Sequence, residues 1–273
     1  MADTAVARPQ GDCFRSERFQ SFFAKLRACG RGTLMLDYDG TLAPFTPDRD
    51  AARPYTQVPG LLDGIMRGGR TRVIIVSGRS AGSVALLLGT RRIPEIWGLH
   101  GIERINAVGI REMLPFSDSD LQVLAEADML LSAAGLSEYL EFKPGSVAVH
   151  WRGLPAPKKK NIRLEATKIV NSLAEESGLV VLDFAEGLEL RVSSANKGDA
   201  IRKALGERTA SPAVYIGDDI TDEDAFHAIN DLKGFSILML PVDRETCAQA
   251  QFRTPTELFA FLQQWNECCG GMR

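Results

Sequence analysis

The feature that most constrains the fold of this chain is an apolar run that ends abruptly in two carboxylates. Residues 34–42 read Leu-Met-Leu-Asp-Tyr-Asp-Gly-Thr-Leu. Parallel strands are buried on both faces, so they read as continuous apolar runs. In open α/β sheets, ligands bind in the crevice outside the carboxyl ends of the strands. Asp37 and Asp39 lie at such a strand end and are followed by Gly40, which lets backbone approach closely. This pattern indicates a chemically active site rather than an ordinary solvated surface.

The segment 37–41 also has two simpler interpretations. Asp-Gly is a common turn signal, so the segment could be a solvated turn. It could also be a calcium loop of the helix–loop–helix type, which needs glycine at its sixth position and a preceding helix. Leu42 holds that sixth position and a strand-like run precedes it, so the pattern disfavours a calcium loop.

Three further segments place polar residues in comparable surroundings. The apolar run 73–76 is followed by Ser77, Gly78 and Arg79. Lys197 lies in an Asn-Lys-Gly sequence just before a helical pattern. A third apolar run ends in the stretch 217–224, which reads Gly-Asp-Asp-Ile-Thr-Asp-Glu-Asp. The order along the chain is therefore acid pair, hydroxyl, lysine and acid cluster.

Taken singly, these residues have ordinary structural explanations. Ser77 could be a strand-to-turn residue, and Lys197 could be a surface lysine, the usual environment of that residue type. Thr221 to Asp224 could form a capping box that opens a helix over Asp224–Ile229, because acids are favoured at helix N-termini. Such a cap is compatible with function, since only one or two of the acids need to contact a metal.

As an ordered set, the four segments resemble the four motifs of the haloacid dehalogenase superfamily. The resemblance implies an α/β fold with a Rossmann-like parallel-sheet core. It also implies that Asp37 is a nucleophile forming an aspartyl-phosphate, and that Asp39 protonates the leaving oxygen and later deprotonates water. Ser77 and Lys197 would contact the phosphoryl oxygens.

The same resemblance implies Mg²⁺ as the cofactor. Its ligands would be the Asp37 side chain, the Asp39 backbone carbonyl and the Asp218 side chain, since Mg²⁺ takes oxygen ligands and usually retains waters. Asp219 or Asp222 would either bind the ion directly or contact the residues that bind it.

The pattern of apolar residues predicts two domains. Strands alternating with helices indicate βαβ units and a parallel sheet, which places the catalytic core at residues 1–106 and 194–273. Residues 107–193 contain two predicted helices, near 118–134 and 157–177, and about four strands of mostly antiparallel alternation. They predict an inserted α+β cap, and in this superfamily a cap between the second and third motifs covers sugar-phosphate sites.

Smaller features complete the prediction of secondary structure. Residues 1–11 read as a loose tail, and 45–59 as a loop rich in Pro and Asp. The last helix, 255–265, is signalled by an N-cap threonine, proline at the first helical position and a glutamate that completes the capping box. Residues 268–273 are expected to be frayed.

Composition narrows the functional classes. The net charge of −3 and the lack of a basic stripe interleaved with aromatic residues argue against nucleic-acid binding. Five cysteines without a C-x-x-C motif suggest neither a disulfide framework nor a zinc site. The first residues lack the pattern of a signal peptide, and no apolar run approaches membrane-spanning length. We therefore expect a cytoplasmic protein, not bound to a membrane, that acts on a small molecule.

Within the superfamily, the chain resembles the trehalose-6-phosphate phosphatases over nearly its whole length. Besides the four motifs, the matching segments are residues 98–103 (Gly-Leu-His-Gly-Ile-Glu), 150–152 (His-Trp-Arg) and 188–191 (Leu-Glu-Leu-Arg). Ile102, Trp151 and Val192-Ser193 depart from the usual Ala, Tyr and Pro of the family, and the first two are bulkier near the presumed sugar pocket.

This family resemblance implies Mg²⁺-dependent hydrolysis of trehalose 6-phosphate in trehalose biosynthesis, with a trehalose-6-phosphate synthase as a partner in the pathway. It also implies a set of residues that contact the sugar phosphate. They are Thr41, Gly78, Arg79, His100, Glu103, Lys143, His150, Arg152 and Glu189.

The polar cap residues have a physical rationale as sugar contacts. Glu141 and Lys143 are two residues apart, as are His150 and Arg152. Period-two spacing places each pair on one face of its strand, where paired acids and bases can bind hydroxyl groups. The alternative is the ordinary solvent-exposed face of an antiparallel sheet, and His150 could instead be a structural histidine with satisfied hydrogen bonds.

Three functional hypotheses remain open at this point. The first is a trehalose-6-phosphate phosphatase. The second is a phosphatase or phosphomutase acting on another sugar or glycosyl phosphate, since phosphomannomutases have a related cap. The third is a catalytically silent sugar-phosphate-binding domain with a regulatory role, and the presence of every catalytic residue argues against it.

Overall fold

The computed structural model describes residues 14, 16–46, 48–113, 115–184, 186–193, 196–206, 211–239 and 244–269. The chain forms two compact units, one comprising Met1–Glu112 with Asn196–Arg273 and the other Met113–Ala195. The units divide after residues 112 and 195, whereas the sequence places the divisions after residues 106 and 193. The predicted N-terminal tail lies outside the described residues.

The first unit is a mostly parallel sheet with helices packed on both faces. Its elements are α1 (Glu17–Cys29), β1 (Gly32–Leu36), α2 (Val58–Arg67), β2 (Thr71–Val76), α3 (Ala81–Leu87), β3 (Glu95–Gly98), β4 (Glu103–Ile105), β5 (Arg111–Met113), α6 (Lys197–Gly206), β10 (Ala213–Gly217), α7 (Glu223–Asp231), β11 (Phe235–Met239), β12 (Ala250–Phe252) and α8 (Pro255–Cys269).

The eight strands of this sheet lie in the order β12-β11-β10-β1-β2-β3-β4-β5. Neighbours from β12 to β3 are parallel, and β4 pairs antiparallel with β3. Because helices cover both faces, β1, β10 and β11 are buried at every residue; for β1 and β10 this is what their apolar sequences predict. The predicted α/β fold class with a parallel sheet is confirmed.

Two apolar layers hold the sheet between its helices. One joins α1, α2, α3 and α8 to one face through a cluster that includes Phe19, Leu62 and Trp265. The other joins α6 and α7 to the opposite face and includes Ile201 and Phe226. With helices packed on both faces, the sheet is a rigid scaffold for the loops at its carboxyl edge. Such a scaffold positions the residues of a functional site.

The second unit is an antiparallel sheet with two helices. Its elements are α4 (Asp118–Ala133), β6 (Leu140–Lys143), β7 (Ser146–His150), α5 (Ala156–Glu176), β8 (Val180–Phe184) and β9 (Gly187–Arg191). The strand order is β6-β7-β9-β8, and every pair is antiparallel. The two helices and four strands match the elements predicted for this region.

Several element boundaries differ from the sequence prediction. Helix α2 begins at Val58, inside the predicted loop, because Pro59 is tolerated in a first helical turn. Helix α8 continues to Cys269 rather than ending at residue 265, so Cys268 and Cys269 are helical and not frayed. Residues 270–273 lie outside the described part of the chain.

The capping box at the acidic cluster begins two residues earlier than in the alternative interpretation, which placed it at Thr221 to Asp224. The capping box is formed by Asp219 and Asp222 around a short 3₁₀ turn, Ile220–Asp222, and α7 begins at Glu223. The sequence analysis did not predict the strands β4, β5, β11 and β12. They are three to five residues long, and short apolar runs are ambiguous by periodicity alone.

None of the helices in the described residues is both long enough and apolar enough to cross a membrane.

Candidate active site

The pairing of two neighbouring strands brings together acids that are far apart in sequence. In the parallel pair β1 and β10, Leu36 lies opposite Ile216. The backbone N–H of Asp37 donates to the Ile216 carbonyl at 2.9 Å, so the pairing continues one residue past β1. Asp218, which follows β10, is therefore beside Asp37. Carboxylate oxygens of Asp37, Asp218 and Asp222 lie within 4.8 Å of one another, and all three side chains are buried.

Gly40 explains how the turn after β1 fits against these acids. Its φ is +79°, a conformation that glycine adopts without strain. A Cβ at this position would lie 2.0 Å from Oδ2 of Asp218. The next residue, Thr41, donates its hydroxyl to Oδ1 of Asp218 at 3.4 Å. The glycine in the first motif therefore gives the turn both its backbone conformation and its close approach to Asp218.

Lys197 enters the acid cluster from the first turn of α6. It is 4% exposed, which excludes the surface-lysine explanation. Its Nζ donates to Oδ1 of Asp37 and to Oδ1 of Asp222, both at 2.7 Å. A Cβ on the following Gly198 would lie 2.5 Å from the carbonyl oxygen of Asp224, so this glycine allows α6 to pack closely on α7 and seat the lysine.

The carboxylate of Asp222 is fully occupied by protein donors. Its Oδ1 accepts from Lys197 Nζ and from the hydroxyl of Tyr215. Its Oδ2 accepts from the backbone N–H groups of Asp218 and Asp219, at 3.0 and 2.9 Å. Because a carboxylate offers about four lone-pair sites, these contacts favour a role for Asp222 in holding its neighbours rather than in binding a cation.

The electrostatics of the cluster reveal an excess of negative charge. Burial raises the pKa of Asp37 well above its usual range; Lys197 opposes this effect, and Asp222 adds to it. Burial and the neighbouring Asp222 carboxylate raise the pKa of Asp218 to about 7. Three buried carboxylates thus share one ammonium group, and a hard divalent cation bound by oxygen ligands fits this donor set.

Asp219 lies outside the carboxylate cluster. Its side chain is exposed and accepts the backbone N–H of Ile220 at 2.6 Å. The structure thus places three of the four predicted acidic side chains together and uses Asp219 as the cap of a short 3₁₀ turn.

A second set of predicted residues surrounds the turn after β2. The guanidinium of Arg79 donates to both oxygens of Asp39, with Nε–Oδ2 and Nη2–Oδ1 distances of 2.6 Å. The backbone N–H of Arg79 also donates to Oγ of Ser77 at 3.2 Å. The sequence predicted each of these residues singly, but not that Arg79 and Asp39 form a two-pronged ion pair.

The turn after β3 adopts a rare backbone conformation. Leu99 and His100 have φ values of 51° and 56°, and a bulky side chain in the left-handed region is an outlier. Such strain persists only where surrounding contacts over-determine it. Here the backbone N–H groups of Leu99 and His100 donate to the carbonyls of Arg79 and Ser77.

This strained turn brings the His100 ring to the second motif. A Cβ on Gly78 would lie 2.7 Å from Nε2 of His100, so the glycine makes room for the imidazole. Glu103, also predicted to bind substrate, lies deeper. It is fully buried, accepts the N–H of Ala81 at 2.7 Å, and forms an ion pair with Arg111 at 2.5 Å. Glu103 therefore anchors the start of α3 to β4.

Four polar cap residues share one face of the second unit's sheet. Register places Glu141 opposite Ala148, and Ala148 opposite Glu189. Lys143 Nζ lies 3.4 Å from Glu141 Oε2 and 3.6 Å from Glu189 Oε1. The fourth member, His150, contacts Glu141 through Nε2 at 2.6 Å.

The predicted polar residues of the second unit differ in how far their side chains are buried. Glu189 is 4% exposed and also accepts from the hydroxyl of Ser146 at 2.6 Å. Arg152 is exposed in the turn after β7. The predicted pairing of Glu141 with Lys143 on one strand face agrees with the register, whereas Arg152 lies beyond the end of the strand that carries His150.

Two residues near the acid cluster were missed by the sequence analysis. Tyr215 lies inside an apolar strand, where its ring alone would predict only a core role. Arg244 donates to the carbonyl of Asp219 at 2.9 Å and forms an ion pair with Glu223, although it is 25 residues from Asp219. No motif marks Arg244, so only tertiary structure reveals its contact with the acidic loop.

The fold is the α/β class with a parallel sheet that the sequence predicted. A phosphatase of the haloacid dehalogenase superfamily from Bacteroides thetaiotaomicron has a similar fold, with a TM-score of 0.60 and 14% identity. The similarity covers 86% of this chain and 95% of that one.

Comparison with family models identifies the family to which the chain belongs. Residues 35–257 match the family model of trehalose-phosphatase. The chain therefore belongs to the trehalose-phosphatase family, whose members are phosphoric monoester hydrolases. The family predicted from the sequence is confirmed.

Individual relatives agree with the family model. A trehalose-phosphate phosphatase from Mycobacterium marinum is 31% identical over 247 residues, which are 85% of this chain and 60% of that protein. This chain thus spans about three fifths of the length of that relative. The C-terminal domain of trehalose-6-phosphate phosphatase from C. albicans has a similar fold, with a TM-score of 0.76, 19% identity, and coverage of 91% of this chain and 96% of that one.

Proposed function

We propose that this protein hydrolyses trehalose 6-phosphate to trehalose and inorganic phosphate, with Mg²⁺ as cofactor and Asp37 as nucleophile. The single observation that carries the proposal is the buried cluster in which Lys197 links Asp37 to Asp222 at 2.7 Å on either side, next to Asp218. Membership of the trehalose-phosphatase family supports the choice of substrate.

Asp37 and Asp218 would hold the Mg²⁺ ion through their carboxylates, together with the backbone carbonyl of Asp39. When bound, the ion supplies positive charge to the phosphoryl oxygens and to the buried acids. The raised pKa of Asp218, about 7, supports this assignment, because it reflects the same excess of negative charge that a divalent cation would balance.

In the first step, a carboxylate oxygen of Asp37 attacks phosphorus and the bond from phosphorus to the sugar oxygen breaks. Lys197, already beside Asp37 at 2.7 Å, would neutralise the phosphoryl oxygens, and the Ser77 hydroxyl would donate to one of them. Phosphoryl transfer depends mostly on such positioning and charge stabilisation.

Asp39 would donate a proton to the leaving sugar oxygen. Both of its oxygens accept hydrogen bonds from Arg79, so the protonated form requires one of these bonds to be given up. In this proposal Arg79 and Asp39 therefore act as one unit in acid–base catalysis rather than as two separate substrate contacts.

In the second step, Asp39 takes a proton from water as the water oxygen attacks phosphorus. The bond from phosphorus to Asp37 breaks, and the electron pair returns to the Asp37 carboxylate as inorganic phosphate leaves. Water must reach the intermediate in a phosphatase, whereas a phosphomutase must exclude it, so continuous release of phosphate distinguishes the two.

In this proposal, residues of both units bind the sugar phosphate. They are Thr41, Gly78, Arg79, His100 and Glu103 in the first unit, and Lys143, His150, Arg152 and Glu189 in the second. A cytoplasmic location and a trehalose-6-phosphate synthase acting in the same pathway complete the proposal.

The decisive experiment is a phosphate-release screen with Mg²⁺ over trehalose 6-phosphate, glucose 6-phosphate, sucrose 6-phosphate and mannose 6-phosphate. We expect turnover with trehalose 6-phosphate at a clearly higher kcat/KM than with the others. Equal kcat/KM values for all four would contradict the substrate. Absence of phosphate release, with Asp37 phosphorylated or sugar phosphate bound, would favour a mutase or a binding domain instead.

A further inference from the structure

The hydroxyl of Tyr215 makes a contact that packing does not require. Tyr215 lies on β10, is fully buried, and packs edge to face against Phe226 with ring centroids 5.8 Å apart. Its hydroxyl reaches Oδ1 of Asp222 at 2.5 Å, the oxygen that also accepts from Lys197. A phenylalanine would fill the same apolar space, so the polar tip of the ring needs a separate explanation.

The hydroxyl acts as a donor toward Asp222. An ionised carboxylate accepts hydrogen bonds and donates none. Burial and the charge of Asp222 raise the pKa of Tyr215 well above its ordinary value, so the hydroxyl keeps its proton. A fixed donor to Oδ1 restricts rotation of the Asp222 carboxylate, because hydrogen bonds to charged acceptors are short and strong.

Asp222 in turn sets the position of Lys197. A lysine ammonium sits on a flexible four-carbon stem, and here Nζ is held between Oδ1 of Asp37 and Oδ1 of Asp222 at 2.7 Å each. Within the described residues these two bonds use two of its three N–H donors, which leaves one for a phosphoryl oxygen.

We propose that Tyr215 is a positioning residue for Lys197, acting through Asp222. Its hydroxyl keeps the Asp222 carboxylate turned so that the ammonium group stays beside Asp37 and presents its remaining N–H to the phosphoryl group. The inference rests on the proposed function, since it concerns how that reaction's lysine meets its substrate. The contact with substrate is made by Lys197, and Tyr215 makes none.

The test uses Tyr215→Phe and orthovanadate, a mimic of the phosphoryl group. We expect the variant to lose about three- to tenfold in kcat/KM, the scale of one hydrogen bond's net contribution. Its affinity for orthovanadate, measured by calorimetry, should fall by the same factor. The ratio of kcat/KM values between two sugar phosphates should not change, because the sugar is bound elsewhere.

A double-mutant cycle separates positioning from general packing. In a Lys197→Met background, Tyr215→Phe should weaken orthovanadate binding no further, because the lysine through which it acts is gone. Lys197→Gln serves as a second background if the methionine variant does not fold. An equal loss from Tyr215→Phe with and without Lys197 would overturn the proposal, as would wild-type affinity and rate in the single variant.

Ser236→Ala is the matched control. Ser236 lies directly opposite Tyr215 in the sheet, is fully buried, and donates its hydroxyl to Asn230 at 2.7 Å. Its loss should lower the melting temperature without changing orthovanadate affinity. If the wild-type protein bound orthovanadate but hydrolysed no sugar phosphate, the proposed function would fail, while the binding cycle would still decide the role of Tyr215.

Discussion

The two units of this protein hold their charged residues in different ways. In the first unit, Asp37, Lys197 and Asp222 are buried and joined by hydrogen bonds of 2.7 Å, and two backbone N–H groups fix Asp222. In the second, Lys143 reaches Glu141 and Glu189 at 3.4 and 3.6 Å, and the Glu141 side chain is 39% exposed. The lysine of the first cluster is thus held by shorter contacts than the lysine of the second.

We expect this difference to correspond to a division between catalysis in the first unit and substrate recognition in the second. An unpaired charge in the buried cluster is costly because the interior screens it poorly, so substitutions there should abolish function together with local order. The cap residues lie on one face of an antiparallel sheet, where a side chain can be exchanged without rebuilding the backbone. We therefore expect the first unit to fix the reaction and the second to adjust which sugar is accepted.

The largest effect should come from the nucleophile. Asp37→Asn should show no detectable phosphate release, because an amide is neither an anionic nucleophile nor a good metal ligand. Asp231→Asn, a change of the same kind at a side chain that is 70% exposed, should retain wild-type rates. The measurement is phosphate release with circular dichroism as a check on folding. Substantial turnover by Asp37→Asn would end the aspartyl-phosphate mechanism.

Metal removal should be nearly as severe. Excess chelator should abolish phosphate release, and added Mg²⁺ should restore it, because the buried carboxylates of Asp37 and Asp218 suit a hard cation. Asp218→Ala should raise the Mg²⁺ concentration needed for half-maximal activity and lower the maximal rate. Full activity in chelator would show that the cluster works without an ion, and a best rate with Zn²⁺ alone would contradict Mg²⁺.

Gly40→Ala should disable the site by overlap rather than by backbone strain. The new Cβ would lie 2.0 Å from Asp218 Oδ2 at a φ of +79°. Gly69→Ala is a matched control, since Gly69 has a φ of +67° and a Cβ added there would meet no atom within 4 Å. Both should lose about 1–2 kcal/mol to left-handed strain, but only Gly40→Ala should lose activity as well. Equal activity losses would show that strain alone explains the glycine.

A smaller and more selective effect is expected in the cap. Glu189→Ala should reduce kcat/KM for trehalose 6-phosphate about ten- to a hundredfold, the scale of a hydrogen bond to a charged group. Hydrolysis of p-nitrophenyl phosphate should change little, because that ester has no sugar. Glu165→Ala, at an exposed position of α5, is the control. An equal loss with both esters would assign Glu189 to the folding of the cap.

The smallest effect concerns stability and pH. Because the pKa of Asp218 is raised to about 7 in the folded protein from an ordinary 3.8, the folded state binds more protons than the unfolded state between these values. Stability in chelator should therefore fall as the pH rises from about 4 to 7, since ∂ΔG/∂pH follows the difference in bound protons. We expect a melting temperature roughly a few degrees lower at pH 8 than at pH 5.

Two further measurements test whether Asp218 causes this dependence of stability on pH. Asp218→Asn should reduce the loss of stability between pH 5 and pH 8, because the group that titrates has been removed. Mg²⁺ at pH 8 should restore the melting temperature of the wild-type protein but not of this variant. A metal-free protein whose melting temperature rises over the same interval would contradict the excess of buried negative charge.

Much of the first unit was predictable because its signals are local. The apolar runs before Asp37, Ser77 and Asp218 mark buried parallel strands, and the parallel sheet confirms them. The short strands β4, β5, β11 and β12 were not predicted, since three to five apolar or mixed residues carry no reliable periodicity. In the cap, alternation predicted the face shared by Glu141 and Lys143, which the register agrees with.

The identity and order of the chemical groups follow from the amino-acid sequence alone, because motif residues and strand patterns lie in short segments. The sequence also determined the α/β class, since continuous apolar runs alternating with helices allow few other arrangements. Gly40 could be recognised from the sequence as a place of close approach, but the sequence does not say that Asp218 is the group that approaches it.

The pairing of each acceptor oxygen with its donor depends on the tertiary structure. Lys197 and Asp37 are 160 residues apart, and the four donors around Asp222 come from a helix, a strand and a turn. The pairing of Arg79 with Asp39 and the contact of Tyr215 with Asp222 likewise depend on angles and distances set by packing. Hydrogen bonds are short and directional, so patterns of residue type along the chain cannot specify them.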